Sequence, residues 1–367
     1  MNDSQAKYIT QLDGVRAMAA LMVMYFHFFE GNPLPGGTIY NFLQKTSIIG
    51  QTGVSLFFVL SGFLITRILI STKSSEHYFK NFYFRRILRI LPLYYFFLLL
   101  FYFVYKPIMY GYIPPFKDQS VYYFYLQNFF ITFGSHTDGP MHFWSLAVEE
   151  HFYFLWPFLV FVTDIKHLVR WILGLICLSV VMRVILIYYH HEVFYLTFTR
   201  LDEICFGALL AVLVMQKNKL LTLLKGKYFY ILVLSYLLLL LGAWWVTSGK
   251  ANSFMQVIKF LFYGIFYFLF IGYTINNENH ITAIFKNRVL VYLGKISYGL
   301  YVYHPVCFHI ANKYLKSSNG IVNFFTNFSL TILVAVISYH FFEVRFLKLK
   351  RYFGNDKISI ISSPQKK

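Results

Sequence analysis

Apolar runs of about 20 residues recur along almost the whole chain, and only short polar or aromatic stretches separate them. A run of that length crosses the hydrocarbon core of a bilayer as one helix. Only helices and closed barrels can make that crossing without leaving backbone polar groups unpaired. Barrel strands alternate polar and apolar residues, and these runs do not. Charged residues make up 13% of the 367, against roughly 25% in a soluble domain. The expected fold is all-α, a polytopic transmembrane helical bundle. About ten spans are expected, near 13–30, 50–70, 86–105, 143–163, 168–189, 198–215, 228–248, 254–275, 289–312 and 322–343. The aromatic stretch 119–134 is short and polar-flanked, and reads as a re-entrant or interfacial helix. Residues 1–345 are read as one membrane domain and 346–367 as a short basic tail. The first run lacks a small-residue cleavage site, so no cleavable signal peptide is expected.

Lysine and arginine set the orientation. With the N-terminus inside, 22 of the 33 fall on the cytoplasmic side and 6 on the outer side. Both termini are therefore expected in the cytoplasm. Much of the +18 net charge is then topology, and no nucleic-acid partner is implied. Cys177, Cys205 and Cys307 all fall in expected spans. Their spacing suits neither a disulfide framework nor a metal site, and no metal is expected.

Two residues break the first run, DGVRAMAALMVMYFHFF: Arg16 and His27. A cation and an imidazole are costly in hydrocarbon, so such groups face a bundle interior or a wet cavity. Eleven steps of about 100° bring them within about 20° of one helix face, roughly 16 Å apart along the axis. One helix then carries a cation near one membrane surface and a candidate general base deeper in.

Other segments carry the remaining chemistry. GQTGVSLFFVLSGFLITRIL has Gly53, Gly62, Ser55 and Ser61, which permit close helix approach or form a small-residue wall beside a channel, with Ser61 on a ligand. In NFYFRRILRILPLYYF, Arg86 and Arg89 share a helix face beside Arg85; arginine forks suit phosphates, although juxtamembrane arginines also serve as anchors. GPMHFWSLAVEEHFYFLWPF puts Ser145, Glu149 and Tyr153 on one stripe. Glu149 needs a partner, with Arg16, His27 or His142 available. In TRLDEICFGALLA, Arg200, Asp202 and Glu203 either neutralise one another or line an acceptor site. LGKISYGLYVYHPVCFHI aligns Ser297, Tyr301 and His304, with Pro305 freeing a backbone carbonyl. Tyr301 and His304 join Arg200 and Asp202 as candidate acceptor-binding residues. Glu343 is read as pairing with Arg345 or the loop arginines.

Together, LDGVRAMAALMVMYFHF, GVSLFFVLSGFLIT, FRRILRILPLYY, FWSLAVEEHFYFLWP, TRLDEICFGALLA and ISYGLYVYHPV resemble acyltransferase family 3, in the family's order, over about residues 11–345. The resemblance implies acyl transfer from cytoplasmic acyl-CoA, usually acetyl-CoA, to a hydroxyl of an extracytoplasmic sugar or polysaccharide. It implies an enzyme integral to a bacterial inner membrane, in contact with lipid. It makes Arg16 and His27 the functional pair, assigns Arg86 and Arg89 to the CoA phosphates, and gives Glu149 and Tyr153 catalytic duty. Chemistry adds Ser61 or Tyr153 as a donor to the thioester oxygen, and Glu149 as the group orienting His27. The chain departs from the pattern at Glu343-Val344-Arg345. Some relatives carry an additional extracytoplasmic domain, which is not expected here. The competing reading is a polytopic transporter or flippase for lipid-linked glycans.

Overall fold

In the computed structural model, residues 8–31, 38–135, 137–225, 230, 233–234 and 252–353 are described. Among them every regular element is helical. The α-helices are α1 Gln11–Gly31, α2 Thr38–Gly50, α3 Gly53–Thr72, α4 Tyr78–Leu100, α5 Lys106–Tyr110, α6 Phe116–Tyr123, α7 Gln127–Thr132, α8 Trp144–Val162, α9 Ile165–Tyr188, α10 Leu201–Met215, α11 Ser253–Asn276, α12 His280–Ile284, α13 Arg288–Lys295, α14 Ser297–Tyr314, α15 Gly320–Ser338 and α16 Val344–Leu349.

Seven stretches among the described residues are long and apolar enough to cross a membrane: Gln11–Glu30, Tyr40–Thr72, Tyr78–Tyr110, Met141–Val162, Ile165–Tyr188, Ser253–Asn276 and Gly320–Phe353. Their outer surfaces are apolar: Leu173, Val181 and Ile185 of α9 and Phe325, Leu333 and Ile337 of α15 are exposed, while Arg183, Arg200, Asp202 and Glu203 are buried. Water would reverse that pattern, so the protein is integral to a membrane. The expected span 228–248 falls almost wholly outside the described residues. The expected span 198–215 is the 15-residue α10, with the buried acids Asp202 and Glu203 in its first turn. The expected span 289–312 is broken at Ile296 into α13 and α14. The stretch 119–134 forms α6 and α7, each under nine residues, with no crossing helix. The last helix runs on past 345 to Phe353, whose ring stacks on Phe84 of α4 at 4.6 Å.

Glycines set the two tightest approaches. A Cβ on Gly62 would lie 1.9 Å from the Ile204 carbonyl oxygen, and one on Gly207 would lie 1.9 Å from that of Val59. Helices α3 and α10 therefore touch backbone to backbone, the close approach that small residues permit in membranes. Gly294 of α13 does the same against the Asp13 carbonyl oxygen of α1, and Gly14 of α1 against the carbonyl oxygen of Phe285, the residue that follows α12. These contacts fix the start of α1, where Asp13 and Arg16 sit. Large aromatic rings are prominent in the remaining core, including Phe58, Phe63, Tyr94, Tyr102, Tyr122 and Phe143.

Candidate active site

Two cavities lie inside the bundle, and α1 passes both. The first, about 100 Å³, is bordered by Arg16, Ser61, Arg86, Arg89, Glu149, Glu150 and Tyr153 among others. The second, about 430 Å³, is bordered by His27, Glu30, Lys106, His142, Trp144 and Tyr195 among others. Val54 and Tyr301 border both. Because α1 is unbroken from Gln11 to Gly31, the rise per residue holds Arg16 and His27 about three turns apart. Each therefore serves a different chamber.

In the arginine chamber, Arg16 pairs with Asp13 at 2.6 Å, one turn back on its own helix. The Asp13 carboxylate also accepts from the Tyr8 hydroxyl. Arg86 lies over the rings of Phe82 and Tyr153, at 5.8 and 5.6 Å. Among the described residues neither Arg86 nor Arg89 makes an ion pair or hydrogen bond, so both guanidinium forks remain available. Glu149 accepts from Ser61 Oγ at 2.6 Å and from the Tyr153 hydroxyl at 3.1 Å, and these two hydroxyls are 2.8 Å apart. The i, i+4 spacing on α8 brings Glu149 and Tyr153 together. Glu150 places a buried carboxylate oxygen, Oε1, with no partner beside the same chamber.

The expected contact of Glu149 with His27 does not form. Glu149 is held in the arginine chamber, and His27 faces the other. For the same reason Ser61 and Tyr153 are committed to a carboxylate, away from any thioester oxygen at His27.

In the histidine chamber, His27 Nδ1 is 3.0 Å from His304 Nε2. His27 Nε2 lies 4.0 Å from Glu30. His304 is fully buried and borders neither cavity. Its Nδ1 is 2.8 Å from the Tyr301 carbonyl oxygen and 3.2 Å from that of Leu300. Pro305 explains the shorter bond. An ordinary residue at 305 would donate its N–H to the Tyr301 carbonyl, and proline has none. A buried carbonyl left unpaired costs about 1–3 kcal/mol, and the His304 ring satisfies it. The expected freed carbonyl is therefore present and used, and the expected contact of His304 with an acceptor is not.

His142 Nε2 is 3.1 Å from the Val302 carbonyl oxygen, and its ring centroid is 5.4 Å from that of His304. Its place at the chamber wall was not expected from the sequence. No group of three His, Cys, Asp or Glu among the described residues is placed to hold a metal ion. Between the chambers, the Tyr301 hydroxyl donates to the His142 carbonyl oxygen at 2.8 Å and sits 2.5 Å from Ser145 Oγ. At the chamber rim, Lys106 pairs with Asp138, which also accepts from the Tyr112 hydroxyl.

Arg200 and Asp202 do not line an acceptor site. Both are about fully buried, and neither borders a cavity. Arg200 donates to Glu203 at 2.6 Å and to the Phe194 carbonyl oxygen at 3.0 Å, with the Phe260 ring 4.0 Å away. Asp202 accepts from Arg183 of α9 at 2.7 Å. A charge removed from water needs a partner and satisfied hydrogen bonds, and this network supplies both internally. Arg183, a lone cation in LICLSVVMRVILIYY, was the clue to such a buried acid. Glu343 makes no ion pair among the described residues and accepts from Ser338 Oγ at 3.3 Å.

Comparison with known proteins bears on this arrangement. The acyltransferase domain family (acyltransferase 3) matches residues 9–340. A Staphylococcus aureus protein provisionally named an O-acetyltransferase is 29% identical over 364 residues, covering 93% of this chain and 58% of its own. The peptidoglycan O-acetyltransferase OatA of Listeria monocytogenes is 29% identical over 363 residues, covering 92% and 55%. The chain thus spans a little over half the length of these curated relatives. No solved structure matches significantly.

Proposed function

The chain belongs to this acyltransferase domain family, and from that premise we propose a membrane O-acetyltransferase. It takes an acetyl group from cytoplasmic acetyl-CoA and places it on a hydroxyl of an extracytoplasmic polysaccharide. The names of the relatives favour a cell-wall glycan. A bacterial inner membrane, with both termini in the cytoplasm, suits the lysine and arginine distribution.

One observation carries the reading: two cavities share Val54 and Tyr301 as wall residues, one with unpaired arginine forks and one with a histidine. Arg86 and Arg89 fit phosphates, which guanidinium binds bidentately. Arg85 and Lys350 lie within electrostatic reach. Around this chamber, among the described residues, the five cations Arg16, Arg85, Arg86, Arg89 and Lys350 stand against the four carboxyls of Asp13, Glu149, Glu150 and Glu343, an excess that favours a polyanion. The thin pantetheine arm runs past Leu60, Ser61 and Leu64 to the boundary at Tyr301.

There the thioester meets the acceptor hydroxyl. His27 takes the hydroxyl proton, and the oxygen attacks the thioester carbonyl carbon. The carbon–sulfur bond breaks, and the CoA thiolate recovers the proton from His27. The products are an acetyl ester and free CoA thiol. A chamber of about 430 Å³ lined by Trp144, Tyr195 and Tyr105 offers flat apolar faces to a sugar ring beside polar groups.

The test is transfer from radiolabelled acetyl-CoA to peptidoglycan fragments by the full chain in proteoliposomes. His27→Ala is expected to bind acetyl-CoA and transfer nothing. The Arg86→Ala/Arg89→Ala double variant is expected to lose acetyl-CoA binding. A folded His27→Ala protein that transfers at the wild-type rate would overturn the assignment.

A further inference from the structure

We infer that His304 is the positioning residue that fixes the tautomer of His27, leaving His27 Nε2 as the lone pair that faces the acceptor. The inference rests on the reading of His27 as the base. It follows from hydrogen-bond polarity and the cost of burying an unpaired charge. The carbonyl oxygens of Tyr301 and Leu300 accept and cannot donate, so His304 Nδ1 beside them carries a proton. A doubly protonated ring at a fully buried position, with no carboxylate in contact among the described residues, would be an uncompensated charge. His304 is therefore neutral, and its Nε2 is an acceptor. His27 Nδ1, 3.0 Å away, must donate to it. A neutral imidazole with Nδ1 protonated holds its lone pair on Nε2. That nitrogen is on the side of Glu30 and the 430 Å³ cavity.

Pro305 is the origin of the chain of bonds. Its missing N–H leaves the Tyr301 carbonyl to the His304 ring, and the ring so held presents Nε2 to His27. When His27 takes the acceptor's proton, its Nδ1–H stays bonded to His304 Nε2. Charge then spreads towards a second imidazole backed by two carbonyl dipoles. His304 touches neither acetyl-CoA nor glycan; it acts through His27.

The experiment reads the tautomer directly. The full chain, labelled with ¹⁵N-histidine in lipid, is examined by solid-state NMR, with His27 assigned from the resonances lost in His27→Gln. Wild type is expected to show His27 protonated at Nδ1. Transfer is measured beside it. His304→Gln keeps an acceptor oxygen and is expected to retain transfer within about 10-fold. His304→Leu is expected to lose more than 100-fold in kcat, with the KM for acetyl-CoA unchanged and His27 in mixed tautomers. Pro305→Ala, which restores an N–H competing for the Tyr301 carbonyl, is expected to fall between them. Should His304→Leu fail to fold, the wild-type and His304→Gln spectra still decide. An Nε2-protonated His27 in wild type overturns the inference, whatever the transfer assay shows. A His304→Leu protein with wild-type kcat overturns it too. Failure of the parent reading is separate: it is a fully active His27→Ala protein.

Discussion

Removing the Asp202 carboxylate tests whether the buried charge network is scaffold or acceptor site. Arg183 is fully buried and has two polar partners, Asp202 Oδ2 at 2.7 Å and the Thr199 carbonyl oxygen at 2.6 Å. In Asp202→Ala the guanidinium keeps the carbonyl and loses its counter-ion. Breaking a buried pair from one side costs about 3–5 kcal/mol. Against a total stability of about 5–15 kcal/mol, that is a large fraction. At about 2–4 °C per kcal/mol the melting temperature falls by on the order of 10 °C. The double variant Arg183→Met/Asp202→Leu removes both charges and leaves two backbone groups unpaired, the Thr199 carbonyl and the Glu203 N–H that donates to Asp202 Oδ1 at 3.1 Å, at about 1–3 kcal/mol each. The second is lost in Asp202→Ala as well, so the double variant, free of the uncompensated charge, is expected to recover part of the loss. Melting in detergent, followed by size-exclusion fluorescence, measures both, and acetyl transfer per folded molecule is recorded alongside. The reasoning fails if Asp202→Ala melts within about 2 °C of wild type and has lost transfer. That result would return Asp202 to the acceptor.

Three further outcomes are expected. Arg86→Lys and Arg89→Lys keep the charge and lose the fork; each is expected to raise the Kd for acetyl-CoA by about 10-fold or more, read by isothermal titration, with kcat little changed. Gly62→Ala or Gly207→Ala forces α3 and α10 apart, because the new Cβ lies 1.9 Å from a carbonyl oxygen. A loss of about 1–3 kcal/mol or more is expected in the same melting assay, and an unchanged melt would contradict the close approach. Ser61→Ala leaves Glu149 with one hydroxyl donor instead of two, the Tyr153 bond at 3.1 Å remaining. It is expected to cost about 1 kcal/mol in stability, with catalytic loss under 10-fold. A complete loss of transfer would put the Ser61 hydroxyl on the reacting groups.

The helical membrane architecture was legible because hydrophobic transfer is local and additive along a chain. A run such as LICLSVVMRVILIYY announces a span without reference to anything else. Same-helix relations were legible for the same kind of reason, since helix geometry alone aligns Glu149 with Tyr153 and separates Arg16 from His27. Pro305 also declared its freed carbonyl in advance. What could not be read was which helix faces which. Arg16, His27 and His142 all suit Glu149 by charge, yet Asp13 serves Arg16, hydroxyls serve Glu149, and His27 meets His304, 277 residues away. Arg200, Asp202 and Glu203 read either as neutralising one another or as lining an acceptor site; in the interior Arg200 pairs with Glu203, and Asp202 with Arg183 of another helix.

Sequence by itself thus determined the solvent this chain folds in and the helices that carry charge. The tertiary structure decided how each buried charge and imidazole is satisfied, and so which of them remain free for chemistry. The physical reason is that burial obliges every polar group to find a partner without specifying which. Helix packing, set by contacts such as Gly62 against Ile204 and Gly14 against Phe285, selects it.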